Sequence, residues 1–274
     1  MTDRGFVCLA QNNSTINYVK LAQLQCMSIK HHMPGASYTL ITDAASRSTI
    51  DHNWFDHVIE IPVDWAKDQD WKQKNDWQVG TLSPYRQTIK LEADILITRN
   101  INHWWRMLEN RDLVLSLGCR DYHGNVATAR DYRYQFDVNN LPDIYSGMMY
   151  WRRSQTAANF FSMVKQLFWT WDQVGKELVK CNDPGSNDMV YACAAAMIGA
   201  DNVTLPCADF FNFVHLKPAI NGLKNNKPVT EQVNIEFDNF EVRVNAKQQL
   251  YPVHYHDKHW GLEILQKHGH SQSI

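Results

Sequence analysis

The sequence predicts an α/β fold in a single domain, and three features carry that expectation. A strand, a helix and a second strand follow one another within about the first 40 residues, the length of one βαβ unit. With 274 residues, 44% of them hydrophobic, the chain can bury one large core or at most two small ones. No internal repeat or low-complexity linker interrupts it, so residues 1–266 are expected to form one domain and residues 267–274 a short tail.

Phe6 to Ala10 is a short apolar run that turns polar at Gln11-Asn12-Asn13, the pattern of a buried strand whose carboxyl end opens onto a site. Ser14 is placed to cap a helix. Along it Ile16, Val19, Ala22, Cys26, Ile29 and Met33 recur at helical spacing until Pro34-Gly35 stops it, and Tyr38 to Thr42 forms the second strand, ending at Asp43. The unit is then parallel with a right-handed crossover. Ligands collect at the carboxyl ends of strands in open parallel sheets, which puts Gln11, Asn12 and Asp43 on one edge of a candidate pocket.

Val58 to Ile61 predicts a third strand, whereas Asp64 to Gly80 sets Trp65, Trp71 and Trp77 among Asp, Lys and Gln without a period, as an irregular lobe or lid would. Thr88 to Thr98 predicts one long strand, because Ile89, Leu91, Ala93, Ile95 and Ile97 alternate with Thr88, Lys90, Glu92, Asp94 and Leu96. Leu113 to Leu117 and Ile144 to Trp151 follow as strands. Gln155 to Lys180 reads as a long helix burying Ala157, Phe161, Val164, Phe168, Trp171 and Leu178, and a second helix runs from Ser186 through Met189 to Ile198. Beyond it lie short strand-like pieces, a Pro- and Asn-rich loop from Lys217 to Pro228, and the His-rich segment Pro252 to Trp260.

Composition excludes several classes. Lys plus Arg is 27 and Asp plus Glu is 29, so the net charge of −2 excludes a protein that grips nucleic acid by bulk positive charge, though not a local basic patch. No run approaches the ~18 apolar residues of a membrane span, and Met1 to Phe6 carries no apolar signal core, so a soluble, cytoplasmic protein without membrane contact is expected. Six scattered cysteines with no CxxC pair argue for buried thiols rather than zinc or disulfides. Ten tryptophans suit either core packing or stacking on sugars and bases.

Five constellations carry candidate chemistry. In Glu92-Ala93-Asp94, strand alternation sends both carboxylates out of one face roughly 6–7 Å apart at Cα. They either converge on a cation or face solvent from an edge strand. Oxygen ligands favour Mg²⁺ or Mn²⁺, and an added imidazole favours Mn²⁺. His254-Tyr255-His256-Asp257-Lys258-His259-Trp260 offers that imidazole from either His254 or His256, together with an ammonium, Lys258, able to neutralise a diphosphate; many His-rich tracts are merely surface. In Tyr145-Ser146-Gly147-Met148, a glycine inside an apolar strand marks a close backbone approach or a bulge. Ser186-Asn187-Asp188 opens a helix, where a carboxylate is favoured by the macrodipole with or without other work. Gly118 to Phe136 interleaves Arg120, Arg130 and Arg133 with Tyr122, Tyr132 and Tyr134, a mixture that meets phosphates and stacks on bases, or forms a solvated loop diluted by Asp121, Asp131 and Asp137.

In order and spacing these segments resemble the GT-A nucleotide-sugar glycosyltransferases, and among them the family 8-like retaining enzymes. The likeness is carried by Leu9-Ala10-Gln11-Asn12, by Thr88 through Leu96 in place of a strand ending in a DxD motif, by Tyr145-Ser146-Gly147-Met148, by Asn187-Asp188, and by His254-Tyr255 through Lys258-His259-Trp260. Glu92 stands where the family has the first Asp, and His259 where it has Pro. The chain is also similar to glycosyltransferase-like proteins of tailed bacteriophages along Leu117 to Tyr122 and Val253 to Lys258.

The resemblance implies a Rossmann-like mixed sheet flanked by helices, and transfer of a sugar from a UDP-sugar to a hydroxyl with retention of configuration. Glu92, Asp94 and His254 or His256 would hold Mn²⁺ or Mg²⁺. Ala10, Gln11, Asn12, Asp43, Lys90, Ser146, Gly147 and Lys258 would meet the nucleotide-sugar, with Asn187, Asp188 and Lys258 around the reacting bond. Since some phages glycosylate hydroxymethylated pyrimidines in their own DNA, the acceptor implied first is modified double-stranded DNA in a host cytoplasm, held by Arg120, Tyr122, Arg130 and Arg133. The alternatives are a glycan or small-molecule acceptor, or a non-catalytic carbohydrate-binding virion protein. A nucleotidyltransferase is disfavoured because no Gly-rich phosphate loop follows the first strand.

Overall fold

The computed structural model describes residues 3–50, 54–127, 133–180, 186–205 and 209–268. Strand β1 (Arg4–Leu9) leads through helix α1 (Tyr18–His32) to β2 (Tyr38–Thr42), and a one-turn α2 (Ala44–Arg47) precedes β3 (His57–Glu60). A 3₁₀ turn (Gln73–Gln78) and α3 (Val79–Leu82) lead to β4 (Gln87–Leu91), β5 (Ile95–Leu96), α4 (His103–Leu108), β6 (Leu113–Leu117), α5 (Tyr134–Val138) and β7 (Ile144–Arg152). Helices α6 (Gln155–Glu177), α7 (Asn187–Ile198) and α8 (Ala200–Val203) follow, then β8 (Val214–His215), β9 (Ile235–Asp238), β10 (Glu241–Val244), β11 (Lys247–Gln248), β12 (Val253–His254) and α9 (Lys258–His268).

The central sheet has the order β3-β2-β1-β4-β7-β6; its first four strands are parallel, and β7 is antiparallel to both neighbours. Alternation along the strands divides the core in two. Phe6, Cys8, Ile89, Leu91, Met148 and Tyr150 face the layer holding α1, whereas Val7, Leu113, Leu115, Met149 and Trp151 face α6 and α7. Each large apolar side chain so buried contributes about 1.5–3 kcal/mol. Two small sheets complete the fold: a β9-β10-β11 meander, and β5-β12-β8, in which β12 pairs antiparallel with β5 and parallel with β8. Among the described residues no helix is long and apolar enough to cross a membrane.

The differences from expectation have local causes. α1 starts at Tyr18, not after Ser14, because the Asn13 side chain accepts the backbone N–H groups of Thr15 and Ile16 in a turn and Asn17 caps the helix at Lys20. The long strand expected from Thr88 to Thr98 breaks after Leu91. Glu92 N–H donates to the Gly147 carbonyl, Ile95 N–H closes a turn on the Glu92 carbonyl, and the Gln25 amide of α1 donates to the carbonyls of Glu92 and Ile95. α6 stops at Glu177, so Leu178 is 72% exposed rather than buried.

Residues 64–72 are irregular, as a lobe would be, and the following residues anchor it: Asn75, Asp76 and Gln78 are buried, and Trp65 and Trp77 pack together beneath Lys165. The final helix α9, unforeseen, buries Gly261, Ile264 and Leu265 on one face. Gly261 is required there because a Cβ would lie 2.6 Å from the Tyr255 hydroxyl. Of the six cysteines, Cys8, Cys26, Cys119 and Cys193 are buried, as expected, while Cys181 and Cys207 lie outside the described residues.

Candidate functional site

The break after β4 builds the site. Glu92 and Asp94 leave the sheet on a turn rather than on a strand face, and β12 brings His254 beside them, paired with Ile95 of β5. His254 Nε2 lies 2.9 Å from Asp94 Oδ2 and 3.7 Å from Glu92 Oε2. Lys258, at the start of α9, donates to the same Asp94 oxygen. One ligand atom each from Glu92, Asp94 and His254 falls within 4.8 Å of the others, although 160 residues separate Asp94 from His254. Two carboxylate oxygens and one imidazole nitrogen fit a hard divalent ion of the Mg²⁺ or Mn²⁺ type, the nitrogen favouring Mn²⁺. His256 does not join them. Its backbone turns left-handed at φ 58°, and its partly exposed ring meets His215 edge-on at 6.0 Å instead of the acids.

Burial disfavours the Asp94 carboxylate, yet His254 and Lys258 outweigh it and hold its carboxyl well below the usual range. Burial pushes Glu92 upward, partly offset by Lys90 and His254. Lys258 is likewise desolvated, but Asp94 keeps its ammonium above the ordinary value. The turn therefore presents a firmly ionised acid, an acid that is costly to ionise without a cation, and one resident ammonium.

Gly147 answers both alternatives that the sequence leaves open for it. The β6–β7 register shifts between Leu115 and Ser116, opposite Met149 and Tyr145, so the strand is bulged here. Another segment also comes close, since a Cβ on Gly147 would lie 3.0 Å from Glu92 Oε2. This bulge and the start of α7 enclose a cleft of about 140 Å³ lined by Glu92, Ser146, Gly147, Asn187, Asp188 and His254, among others. Ser186 caps α7 by accepting Met189 N–H. Asp188 Oδ1 accepts both the backbone N–H and the hydroxyl of Ser146, and Oδ2 accepts Arg133 at 2.8 Å. Three of the roughly four lone-pair positions of this carboxylate are thereby taken.

Several other expected site residues are committed elsewhere. Ala10 is buried and its N–H donates to Ile41, so it offers no contact surface. The Gln11 amide is saturated by Asp43, Asp64 and Asn75; Asn12 accepts Val19 N–H and donates to Thr49; Asp43 caps α2. These residues tie the end of β1 to its neighbours and do not line the cleft. Lys90 is 1% exposed and already bonded, to Asp76 at 2.9 Å and to the Ser146 carbonyl at 3.0 Å.

The DNA surface expected of the Arg–Tyr segment is corrected in the same way. Arg120 is 8% exposed and engages Gly124, Asp209 and the Tyr251 ring, and Tyr122 is buried. Arg133 is 2% exposed between the Phe136 and Tyr145 rings and bonded to Asp143 and Asp188. Arg130 lies outside the described residues. The acids that pair with these arginines, Asp209, Asp143 and Asp188, come from outside the segment, so its own charge pattern does not reveal the pairing.

The sequence did not point to His215, which lines the cleft and stacks on His254 with ring centroids 4.4 Å apart and planes at 15°. The parallel register of β8 with β12, which pairs His215 with His254, creates the stack. Burial and the neighbouring His254 and His256 push the His215 imidazole well below its ordinary pKa. The one available signal was the alternation of Phe211, Phe213 and His215.

No protein-family model matches the chain, and no curated protein matches it. Solved structures do. The galactosyltransferase LgtC, in complex with donor and acceptor sugar analogues, superposes with a TM-score of 0.57 at 11% identity, over 98% of this chain and 96% of LgtC. An active-site mutant of LgtC gives the same TM-score at 14% identity over the same shares. Mouse xyloside xylosyltransferase 1 matches at 0.47 and 13% identity, over 76% of this chain and 86% of that one. The fold, a central mixed sheet flanked by helices in one domain, is that of the GT-A glycosyltransferases.

Proposed function

We propose that this chain is a metal-dependent glycosyltransferase that moves a sugar from a UDP-sugar to an acceptor hydroxyl, with retention of configuration. The observation that supports it above others is the convergence of Glu92, Asp94 and His254 at one edge of the cleft, in a fold shared with sugar-transferring enzymes. Bound there, Mn²⁺ or Mg²⁺ supplies positive charge for the departing diphosphate.

The chain's own residues do the rest. Lys258 adds an ammonium on the same side, where it favours negative charge building on the phosphate. Asp188, fixed by Ser146 and Arg133, turns its remaining lone pair toward the sugar and orients it. In the reaction the bond from the anomeric carbon to the phosphate oxygen breaks, the acceptor oxygen takes that position, and the acceptor proton leaves with the phosphate or to solvent. Retention rests on the motif resemblance to family 8-like enzymes. With Arg120, Tyr122 and Arg133 buried, DNA loses the residues that favoured it, and a glycan or small-molecule hydroxyl is the acceptor we favour.

Calorimetry with UDP, in Mn²⁺ and then in EDTA, tests the binding half, and UDP release across a panel of UDP-sugars tests the transfer half. Nucleotide affinity that is present with Mn²⁺ and lost in EDTA is expected. Sugar binding without any nucleotide affinity would refute an enzyme and leave a carbohydrate-binding module. The anomeric configuration of the product, read by proton NMR, decides retention.

A further inference from the structure

Three polar atoms on residues lining the cleft have no partner among the described residues; one, His254 Nδ1, sits on the ring whose Nε2 faces the acids, and the other two belong to side chains outside the metal site. Asn187 Oδ1 and His215 Nδ1 are both buried without a hydrogen bond, on side chains 3% and 5% exposed, and both residues line the cleft. Folded chains seldom leave such atoms unanswered, because water no longer reaches them, and a bound ligand is one way the deficit is met. Packing rather than hydrogen bonding aims the His215 ring. It lies flat on His254 and meets the edges of Tyr145 and Phe213, each at 5.9 Å.

The chemistry of the two atoms selects the ligand. An amide oxygen only accepts, so its partner must bring a hydrogen, while a ring nitrogen accepts or donates according to tautomer. A diphosphate offers acceptors alone and fails Asn187. A sugar hydroxyl donates and accepts at once. Glu92 and His254 form part of the same lining, so a diphosphate held by them brings the sugar, one bond beyond the phosphate, into this space ahead of the base.

We propose that Asn187 and His215 form a hydroxyl-recognition pair for the sugar in the cleft, with His215 the specificity-determining member. This rests on the glycosyltransferase assignment above and adds to it a residue that the metal site does not need as a ligand. The hydroxyl belongs either to the transferred sugar or to the acceptor.

Two substitutions separate recognition from support. His215→Phe keeps a flat ring against His254 and removes both nitrogens; His215→Asn removes the ring and returns a short donor and acceptor. His215→Phe is expected to bind Mn²⁺ and UDP within about twofold of the unaltered protein, while kcat/KM for the UDP-sugar falls about tenfold to a hundredfold and His215→Asn recovers part of it. Hydrolysis of the UDP-sugar without acceptor identifies the source: a matching fall there assigns the hydroxyl to the donor sugar, and a fall seen only in transfer assigns it to the acceptor. Unchanged kcat/KM in His215→Phe overturns the pair and leaves the enzyme assignment intact. Lost Mn²⁺ or UDP binding in that variant also overturns it, making His215 a prop for His254. Failure of the unaltered protein to bind UDP or any UDP-sugar with Mn²⁺ removes both proposals together.

Discussion

Two acid–ammonium pairs begin four positions apart on one stretch of chain, at Lys90 and Asp94, and their surroundings are opposite. Lys90 and Asp76 are 1% and 4% exposed at their side chains; Lys90 also donates to the Ser146 carbonyl, and the Tyr191 hydroxyl donates to Asp76 at 2.6 Å. Asp94 and Lys258 share their oxygen with His254, whose Nδ1 has no partner among the described residues, and Glu92 beside them is pushed up by burial. The same pair of charges thus serves as scaffold in one place and as candidate site in the other. Completeness separates them: a pair with its partners supplied holds elements together, whereas a cluster with capacity left over has something to offer a ligand.

The largest effect is expected where the pair is closed. Lys90→Met should cost about 3–5 kcal/mol in urea denaturation, because it leaves the Asp76 carboxylate buried without its cation, and Asp76→Asn added to it should restore part of the loss. A cost near zero would mean that water reaches the pair.

Asp94→Asn should reverse the balance. UDP release is expected to fall about 10²- to 10³-fold, with a smaller loss of stability than Lys90→Met produces, since Lys258 retains access to solvent. Equal stability losses in the two variants would erase the distinction drawn between them.

Gly147→Ala probes the wall between the two pairs. Its Cβ would lie 3.0 Å from Glu92 Oε2, so the Glu92 arm must shift, and Mn²⁺ affinity measured by calorimetry should drop about tenfold while the denaturation midpoint moves little. Unchanged affinity would exclude Glu92 as a ligand.

The smallest signal is a non-event in the layer that holds α1. Burial pushes the thiols of Cys8 and Cys26 up to about 12, so at pH 8 only about one in 10⁴ is thiolate and a thiol reagent should leave both unlabelled in the native protein. Rapid labelling would show that the sheet opens.

Much of the fold was legible because local chemistry decides it. Ser154 and Ser186 cap α6 and α7, Pro34-Gly35 ends the first helix, and apolar runs mark β1, β2, β6 and β7. Glu92, Asp94 and His254 were likewise visible as ligand types. Their geometry was not, because alternation implied one continuous strand, while Gln25, distant in sequence, stabilises a turn by donating to the carbonyls of Glu92 and Ile95. The arginines misled for the same reason. Charge is written in the sequence, but Asp143 and Asp188, which neutralise Arg133, are chosen by folding.

By itself the sequence determined the order of the central-sheet strands and of α1, α6 and α7, the α/β class and the residue types able to ligate a divalent ion. These follow from period, capping and side-chain chemistry, each set within a few residues. Only the tertiary structure decided that His254 rather than His256 meets the acids, that Lys90 is spent on Asp76, and that His215 lies against the cleft. Those outcomes depend on strand register, and β12 takes its register from β5 and β8, segments about 160 and 40 residues earlier in the chain.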